Sequence, residues 1–425
     1  MKKALSLFKF FLIVLDSLLF FFSLFIVLFF RVKSIDRLII SINEHFIAFL
    51  FLLPIYLILI FAFSLYNFYL LNIKKIFIRT AYVLLVGLLA SSLYFYFTQL
   101  FFGISPRTNL ILFAIVFFWL LFFSRFLVIK FSYRGKLPLY FLGSETLRNK
   151  LKNDLKDNHF FEFKDLQDIE KIPPGSILVI DSNYRVNDDI LLQKILSKNL
   201  SVFDYIDFYE KFFERIPLEA INVDWIVKEI FAGENKAYFY LKRIFDIVLA
   251  IFCLVFIFLP LLPFIAIAIY INSPGPIFFI NSRVGYRGKV FNLIKFRTMT
   301  GVQRQESWAV GKEEKRIFFV GKILRKTHLD ELPQLINILK GDISFVGPRP
   351  EQPQIVADMI KLIPFYDLRH LTMPGLTGWA QVNYKYPENV EETKIKLEND
   401  LYYLKNNNLF LDIIVIIKTL QNFIF

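Results

Sequence analysis

Cysteine is almost absent from this sequence. The 425 residues include one, Cys253, which lies within an apolar run. The chain can therefore form neither an internal disulfide nor a site with several thiolate metal ligands. Histidine is also scarce, and His45, His159, His328 and His370 are scattered without the HExxH spacing of zinc enzymes. These shortages exclude a disulfide-rich fold and argue against a zinc-type catalytic site.

Charged side chains are few as well. They make up 20% of the residues, whereas 56% are hydrophobic and 53 are Phe, a balance that is too apolar for a single water-soluble domain. The formal net charge of +13 suits either nucleic acid or the anionic surface of a bilayer. The long apolar runs favour the bilayer, and we expect no nucleic-acid partner.

Four apolar runs within residues 1–131 approach or exceed the length of about 20 residues that a bilayer-spanning helix needs. The first has too long an apolar core for a cleaved signal peptide, and no small-residue cleavage site follows it. We therefore predict four transmembrane helices. They cover Lys9–Phe30, Phe46–Leu71, Ala81–Phe102 and Asn109–Ile129.

The basic residues around these runs predict their orientation. With a cytoplasmic N-terminus, nine Lys and Arg residues flank the helices on the inside and four on the outside, in agreement with the positive-inside rule. Asp16 lies within the first run. An acid at that depth is either functional or paired with another helix, and the sequence does not separate the two.

Residues 132–235 have a different pattern. Three short apolar runs are typical of buried strands, and the segments around Leu147–Leu155 and Asp189–Leu196 are typical of helices between them. This alternation predicts a small parallel α/β sheet. After Gly143 the sequence GSETLR lacks the further glycines of a dinucleotide loop, so we predict a Rossmann-like module that binds no dinucleotide and serves regulation or assembly. The strands are Leu137–Gly143, Ser176–Asp181 and Leu200–Tyr205.

A fifth apolar run, Ile247–Ile271, contains Pro260 and Pro263 near its middle. Each proline removes a helix hydrogen bond, and basic residues on both sides place both ends in the cytoplasm. We predict a re-entrant membrane helix that breaks at Pro260, in preference to a fifth span. The last apolar run, Leu409–Phe425, is short for a span and predicts a helix that either packs on the core or lies at the interface.

The richest cluster of polar and turn-forming residues runs from Leu324 to Pro350. Apolar residues at 332, 335, 336 and 339 have helical spacing, with Pro333 in the first turn and Gly341 past the end. Asp330 and Glu331 thus stand at a helix N-terminus, where acids commonly do no more than complement the helix dipole.

Basic residues around the two acids argue for a further role. Carboxylates among Lys and Arg suit phosphate chemistry, in which a carboxylate attacks phosphorus, a divalent cation neutralises phosphate oxygens, and guanidinium groups hold a pyrophosphate. These basic residues are Lys295, Arg297, Arg325, Lys326 and Arg349.

Seven sequence blocks follow one another through this region. They are KRIFD at Lys242–Asp246, SPGPIFF at Ser273–Phe279, RVGYRGKVF at Arg283–Phe291, KFRTM at Lys295–Met299, LDELPQLINILKGDISFVGPRP at Leu329–Pro350, PGLTGWAQVNY at Pro374–Tyr384 and DLYYLKNNNLFLD at Asp400–Asp412. In these blocks the chain resembles the monotopic phosphoglycosyl transferases, also called bacterial sugar transferases or polyprenyl glycosylphosphotransferases. The N-terminal spans and the α/β module resemble the large form of this family. The chain departs from the family pattern at Pro263 and at Asn281–Ser282, where Gln-Glu is frequent.

The resemblance implies a ping-pong transfer of a sugar-1-phosphate from a UDP-sugar to undecaprenyl (polyprenyl) phosphate. Asp330 would attack the β-phosphorus, release UMP and carry the sugar-1-phosphate as an aspartyl intermediate. Glu331 would help to position Mg²⁺ or handle the proton of the lipid phosphate, so that both acids are candidate metal ligands. The resemblance implies that Lys295, Arg325, Arg349 and Asp400 bind substrate. We add Arg297 from the basic residues around the two acids.

The implied location is the bacterial inner membrane, with the catalytic domain on the cytoplasmic face at the first membrane step of a surface polysaccharide such as capsule, O-antigen or exopolysaccharide. We expect a homodimer, the commonest assembly. The predicted fold class is a membrane α/β protein: a four-helix bundle in residues 1–131, a Rossmann-like module in 132–235, and a re-entrant helix with a mainly helical catalytic domain in 236–425.

Two other functions fit parts of the sequence. A non-enzymatic membrane scaffold, or a nucleotide-sensing regulator of polysaccharide export, would use the α/β module but would not need the Asp330–Glu331 pair. A polytopic sugar-phosphate transferase that forms no covalent intermediate would need more spans than the chain has.

Overall fold

The computed structural model describes residues 2–32, 34–67, 73–102, 107–132, 136–156, 158, 160–166, 172–181, 197–198, 200–231, 236–301, 316–384 and 387–424. These residues form two compact units, Met1–Tyr205 and Ile206–Phe425. The predicted fold class, a membrane protein with apolar N-terminal helices and a mixed α/β C-terminal part, is confirmed.

The first unit begins with a bundle of four helices, each with a stretch long and apolar enough to cross a membrane. The second helix starts and ends earlier than its predicted span. It ends at Ala62 because Ser64 adopts a left-handed conformation, and the carbonyl of Leu65 accepts a hydrogen bond from Arg125. The helices are α1 Lys2–Arg31, α2 Ile35–Ala62, α3 Ile73–Phe102 and α4 Arg107–Ser132.

Aromatic rings fill the centre of the bundle. Phe20 of α1 makes edge-to-face contacts with Tyr56 of α2 and with Phe113 and Phe117 of α4, and all four rings are buried. Gly87 of α3 makes room for them, since a Cβ there would lie 2.6 Å from the Tyr56 ring. Lipid tails are as apolar as these side chains, so close ring packing rather than exclusion of water holds the helices together.

Asp16 pairs with another helix, as one of its two interpretations predicted. Its carboxylate binds the guanidinium of Arg125 on α4, and both side chains are fully buried. The same guanidinium donates from Nε to the carbonyl of Leu65, 3.1 Å away. One arginine therefore fastens α1 and the end of α2 to α4.

A four-stranded parallel sheet follows the bundle in the order β2-β1-β3-β4, which confirms the predicted parallel α/β module. The sequence prediction missed β2, whose sequence FEFK alternates Phe with charged residues and so contains no two adjacent apolar residues. Helix α5 covers Glu145–Asp154, close to its predicted place, and the predicted helix at Asp189–Leu196 lies outside the described residues. The strands are β1 Leu137–Leu142, β2 Phe161–Lys164, β3 Ile177–Ile180 and β4 Ser201–Asp204.

The second unit is mainly helical and contains two small sheets. It begins ahead of residue 236, the predicted start of the catalytic domain, because Ile216 N donates to the Glu398 carbonyl and Trp379 Nε1 donates to the Glu214 carbonyl, both at 3.1 Å. Helices α6 to α15 cover Tyr205–Phe213, Val223–Ile226, Lys236–Cys253, Leu259–Asn272, Phe319–Lys326, Gln334–Lys340, Pro353–Leu362, Trp379–Asn383, Val390–Asn406 and Leu409–Ile424. Strands β5 Phe278–Val284 and β6 Val290–Phe296 pair antiparallel, and β7 Ser344–Val346 and β8 Gly375–Thr377 pair parallel.

Helices α8 and α9 form the fifth apolar segment, Ala237–Asn272. Between them, Leu254–Phe258 is a π-helical turn, and the backbone stays helical on both sides of Pro260. Proline cannot donate a backbone hydrogen bond, and the π-helical turn lies where the carbonyl acceptor of that bond would be. The irregularity in the helix therefore precedes the proline at which the break was predicted, and the re-entrant path itself stays a prediction.

Both ends of this apolar segment bond to later parts of the second unit. Arg243 donates to the carbonyls of Ile338 and Leu339 at 2.6 and 2.7 Å, and the side-chain oxygen of Asn272 accepts from Val320 N at 3.0 Å. The attachment points lie on neighbouring helices, α11 and α10.

The last helix, α15, packs on the core with one face, as one of the two interpretations of this run predicted. Its Asp412 is buried and accepts hydrogen bonds from Lys242 at 2.8 Å and Tyr403 at 2.6 Å. The ion pair with Lys242 joins the C-terminal helix to the start of the membrane segment.

Replacing Asp16 with Asn is expected to destabilise the chain by about 3–5 kcal/mol, because Arg125 would remain buried without a countercharge. Unfolding of the detergent-solubilised chain by SDS measures the change. The matched control is Asp165→Asn, which removes the exposed Arg148–Asp165 pair and should change stability little, since water screens that pair. Equal effects of the two variants would contradict this account of the bundle.

Candidate active site

Asp330 and Glu331 lie in a tight 3₁₀ turn, Leu329–Glu331, between α10 and α11. The predicted position at the start of a helix is thus confirmed, with one extra turn before α11 begins at Gln334. His328 precedes the turn in the left-handed conformation, with φ of 54°, which is uncommon outside glycine and typical of functional sites. Gly341, with φ of 88°, ends α11 as predicted.

Two contacts fix the position of the turn Leu329–Glu331, here called the acid turn, relative to β6. Gly321 of α10 packs so closely on Thr298, two residues after β6, that an added Cβ would lie 2.3 Å from the Thr298 carbonyl. Asn337 of α11 accepts from Ile294 N at 3.0 Å and donates to the Asn292 carbonyl at 2.8 Å. Since β6 also carries Lys295, these contacts bring that lysine to the acid turn.

Glu331 is held by two cations. Its Oε1 atom accepts from Lys295 Nζ at 2.7 Å and from Arg349 Nη2 at 2.8 Å. Burial alone would raise the pKa of Glu331, but the neighbouring Arg349 and Lys295 hold that pKa well below its usual range. Glu331 therefore stays ionised and its orientation is fixed.

Asp330 is in a different environment. Its side chain is buried, and no described residue makes a hydrogen bond or ion pair with its carboxylate. Burial raises its pKa, while the charges of Lys295 and Arg325 act in the opposite direction. A desolvated carboxylate without a bonded partner, next to fixed positive charge, has the properties of a nucleophile towards phosphorus.

Arg349 is placed by a close crossing of two backbone segments. Gly347 N donates to the Thr377 carbonyl at 2.8 Å, and Gly375 N donates to the Pro348 carbonyl at 3.0 Å. A Cβ on Gly347 or Gly375 would lie within 2.1 Å of the opposing backbone. Glycine is therefore required at both positions. It allows the loop Gly347–Pro350, here called the GPRP loop, to hold Arg349 against Glu331.

The other predicted substrate-binding residues do not bond to either acid. Arg325 donates from Nε to the Thr298 hydroxyl at 2.9 Å and lies one turn before the acids. The guanidinium of Arg297 binds the carbonyls of Ser273 and Pro274, where the membrane segment ends. Asp400 is buried and forms an ion pair at 3.0 Å with Arg369. The structure thus brings Lys295, Arg349 and the two acids together.

Sequence reasoning missed a buried set of charges behind Arg349. Glu351 binds Lys396 of α14, and Arg369 binds Asp400 one turn further along the same helix. The available signals were the position of Glu351 two residues after Arg349 and the four-residue spacing of Lys396 and Asp400, which places both on one helix face.

The acid pair fits Mg²⁺. This ion is usually held by one or two carboxylates together with substrate phosphates and water. None of the described residues bonds to the Asp330 carboxylate, and Glu331 is fixed beside it. Within the described residues, no group of three or more His, Cys, Asp or Glu side chains is placed to hold a metal. The donor set therefore suits an ion that takes its remaining ligands from substrate and water.

Comparison with known proteins agrees with this geometry. A family model of bacterial sugar transferases matches residues 237–425. The chain is 41% identical over 188 residues to a UDP-N-acetylgalactosamine-undecaprenyl-phosphate N-acetylgalactosaminephosphotransferase of Aeromonas hydrophila, a match that covers 44% of each chain. It is 30% identical over 308 residues to a UDP-glucose:undecaprenyl-phosphate glucose-1-phosphate transferase of Klebsiella pneumoniae, covering 68% of this chain and 66% of the relative.

A shorter relative is covered almost completely. The sugar transferase EpsL of Bacillus subtilis is 39% identical over 185 residues, which are 43% of this chain and 86% of EpsL. By contrast, the chain spans less than half the length of the Aeromonas protein. The residues that the family model matches include the acid turn and the side chains that fix it, and the chain belongs to the bacterial sugar transferase family.

Proposed function

We propose that this protein transfers a sugar-1-phosphate from a UDP-sugar to undecaprenyl phosphate. The observation that carries the proposal is the contrast within the acid pair: Glu331 is fixed by two cations, whereas no residue that the structure describes bonds to the buried Asp330 carboxylate. The names of the Aeromonas and Klebsiella relatives describe transfers of this kind, with N-acetylgalactosamine and with glucose.

The first half-reaction forms a covalent intermediate on Asp330. A carboxylate oxygen of Asp330 attacks the β-phosphorus of the UDP-sugar, and the bond between that phosphorus and the bridging oxygen breaks. UMP leaves with the bridging oxygen and the electron pair of that bond. The sugar-1-phosphate remains on Asp330 as an acyl phosphate.

In the second half-reaction, a phosphate oxygen of undecaprenyl phosphate attacks the same phosphorus. The bond to Asp330 breaks, the carboxylate is restored, and the sugar is left on the lipid through a diphosphate. Both halves use one phosphorus position, so a single set of charges serves both transition states.

The neighbours of Asp330 have separate roles in this proposal. Lys295 and Arg349 hold Glu331 and supply positive charge next to the pyrophosphate. Mg²⁺, held by Asp330, Glu331 and phosphate oxygens, would neutralise charge that develops on the phosphate. Arg325 supplies a further cation one turn before the acids.

The membrane segment supports a site at the cytoplasmic surface. A straight helix from Arg243 to Asn272 would be about 43 Å long, yet both residues bond to the adjacent helices α10 and α11. A re-entrant path reconciles the two observations. On this proposed path, the acid pair lies at the cytoplasmic face of the inner membrane, where the lipid phosphate is. The excess of basic residues on the inner flanks of the spans supports the same orientation.

The Asp330→Asn variant is expected to release UMP at least about 10³-fold more slowly than the wild type, because the amide cannot form the acyl phosphate. Purified full-length chain with Mg²⁺ and undecaprenyl phosphate is assayed with UDP-N-acetylgalactosamine and UDP-glucose. Asp358→Asn, at an exposed surface position, is the matched control and should retain full activity. UMP release by Asp330→Asn at the wild-type rate would overturn the proposed nucleophile.

Removal of divalent cations with EDTA is expected to abolish UMP release, and added Mg²⁺ should restore it, since the pyrophosphate needs its charge neutralised. Ca²⁺ is the comparison ion because it binds oxygen ligands at longer distances and with looser geometry. Undiminished UMP release in EDTA would show that Lys295, Arg325 and Arg349 suffice without a metal.

A further inference from the structure

Arg349 projects from a backbone segment that is held on both sides. Its own carbonyl accepts a hydrogen bond from Arg369 Nη2 at 2.9 Å. Two residues later, the Glu351 carbonyl accepts from Val284 N at 2.9 Å, and the Glu351 side chain binds Lys396. Pro348 and Pro350 restrict the backbone on either side of Arg349. The direction of the Arg349 side chain is therefore set by contacts from other parts of the fold.

Arg369 is the centre of these contacts. Its side chain is only 2% exposed, and its Nη1 donates to the Tyr366 hydroxyl at 2.9 Å. Its Nη2 donates to the Arg349 carbonyl and forms an ion pair with the Asp400 carboxylate, the latter at 3.0 Å. The rigid guanidinium plane thus fixes three groups relative to one another, which a lysine with its single ammonium does not do.

The charges around Arg369 are buried together. Glu351, Lys396 and Asp400 are each less than a tenth exposed. Burial would raise the pKa of Glu351, but Lys396 and Arg369 hold it at about 2. Burying an ion cluster seldom stabilises a fold more than apolar packing of similar volume would. The effect of the cluster here is to hold its charged side chains in defined positions.

The cluster is buried and does not bond to the acid pair. Arg369 and Asp400 are each 2% exposed, and neither bonds to Asp330 or Glu331. Asp400, predicted from the family resemblance to shape the nucleotide site, binds Arg369 in this structure.

We propose that Arg369 is a positioning residue for the transfer reaction. It fixes the backbone of Arg349, Arg349 fixes the carboxylate of Glu331, and Asp400 holds Arg369 in place. The inference rests on the proposed function, because positioning is defined here for that reaction.

A double-mutant cycle in the full-length chain tests the proposal. Arg369→Lys is expected to lower kcat for UMP release by about 10- to 100-fold, since a small displacement at a reacting centre has effects of this size. In an Arg349→Lys background, Arg369→Lys should lower kcat by less than about threefold. The contact between side chain 349 and Glu331, through which Arg369 acts, is already altered in that background. If the kcat loss of the double variant equals the product of the losses of the two single variants, the proposal is overturned.

Two further variants keep the test decisive. Arg283→Lys is the matched control: Arg283 approaches the same Glu351 at 3.9 Å but does not bond to Arg349, and kcat should stay within about threefold of wild type. If Arg369→Lys does not fold, Tyr366→Phe removes only one partner of the guanidinium, and its smaller loss must again vanish in the Arg349→Lys background.

The outcomes separate this inference from the proposed function. Absence of UMP release by the folded wild type would overturn both. UMP release by the wild type with multiplying losses in the cycle, or with equal losses in Arg283→Lys and Arg369→Lys, would overturn the positioning role alone.

Discussion

The carboxylate of Glu331 is the contact on which the arrangement of the site depends. It joins three stretches of chain that are distant in sequence: β6 through Lys295, the acid turn itself, and the GPRP loop through Arg349. Each stretch has its own anchor, namely Asn337 on β6, Gly321 on Thr298, and the glycine crossing of β7 and β8. Two cations on one oxygen orient Glu331, whereas no residue in the described part of the chain bonds to the adjacent Asp330 carboxylate.

The membrane segment is fastened to the same structure. Arg243 binds the last carbonyls of α11, whose first turn follows the acid pair, and Asp246 accepts from Phe345 N next to the GPRP loop. A guanidinium at a helix C-terminus also complements the helix dipole. The block KRIFD thus supplies the joint between the apolar helix and the catalytic unit, and its charged residues are explained by that joint rather than by contact with substrate.

Local patterns predicted the parts of the fold that depend on local physics. The apolar runs, the parallel strands and the turn that carries Asp330 and Glu331 follow from length, periodicity and the placement of Pro and Gly. The buried cluster around Arg369 does not, because tertiary packing brings its members together and only the four-residue spacing of Lys396 and Asp400 marks two of them as neighbours. For the same reason the motif that contains Asp400 does not reveal the ion pair of this acid with a buried arginine. The π-turn before Pro260 was missed because proline indicates a lost hydrogen bond but not where the helix adjusts its winding.

The ion pair between Lys242 and Asp412 has a consequence for the order of events during synthesis. The two residues are 170 positions apart, so at about 5–20 residues per second the ribosome delivers the carboxylate roughly 10–30 s after the lysine. The apolar helix that begins beside Lys242 is therefore available to the translocation machinery long before its partner exists. The joint between the apolar helix and α15 is completed only after Asp412 has been synthesised.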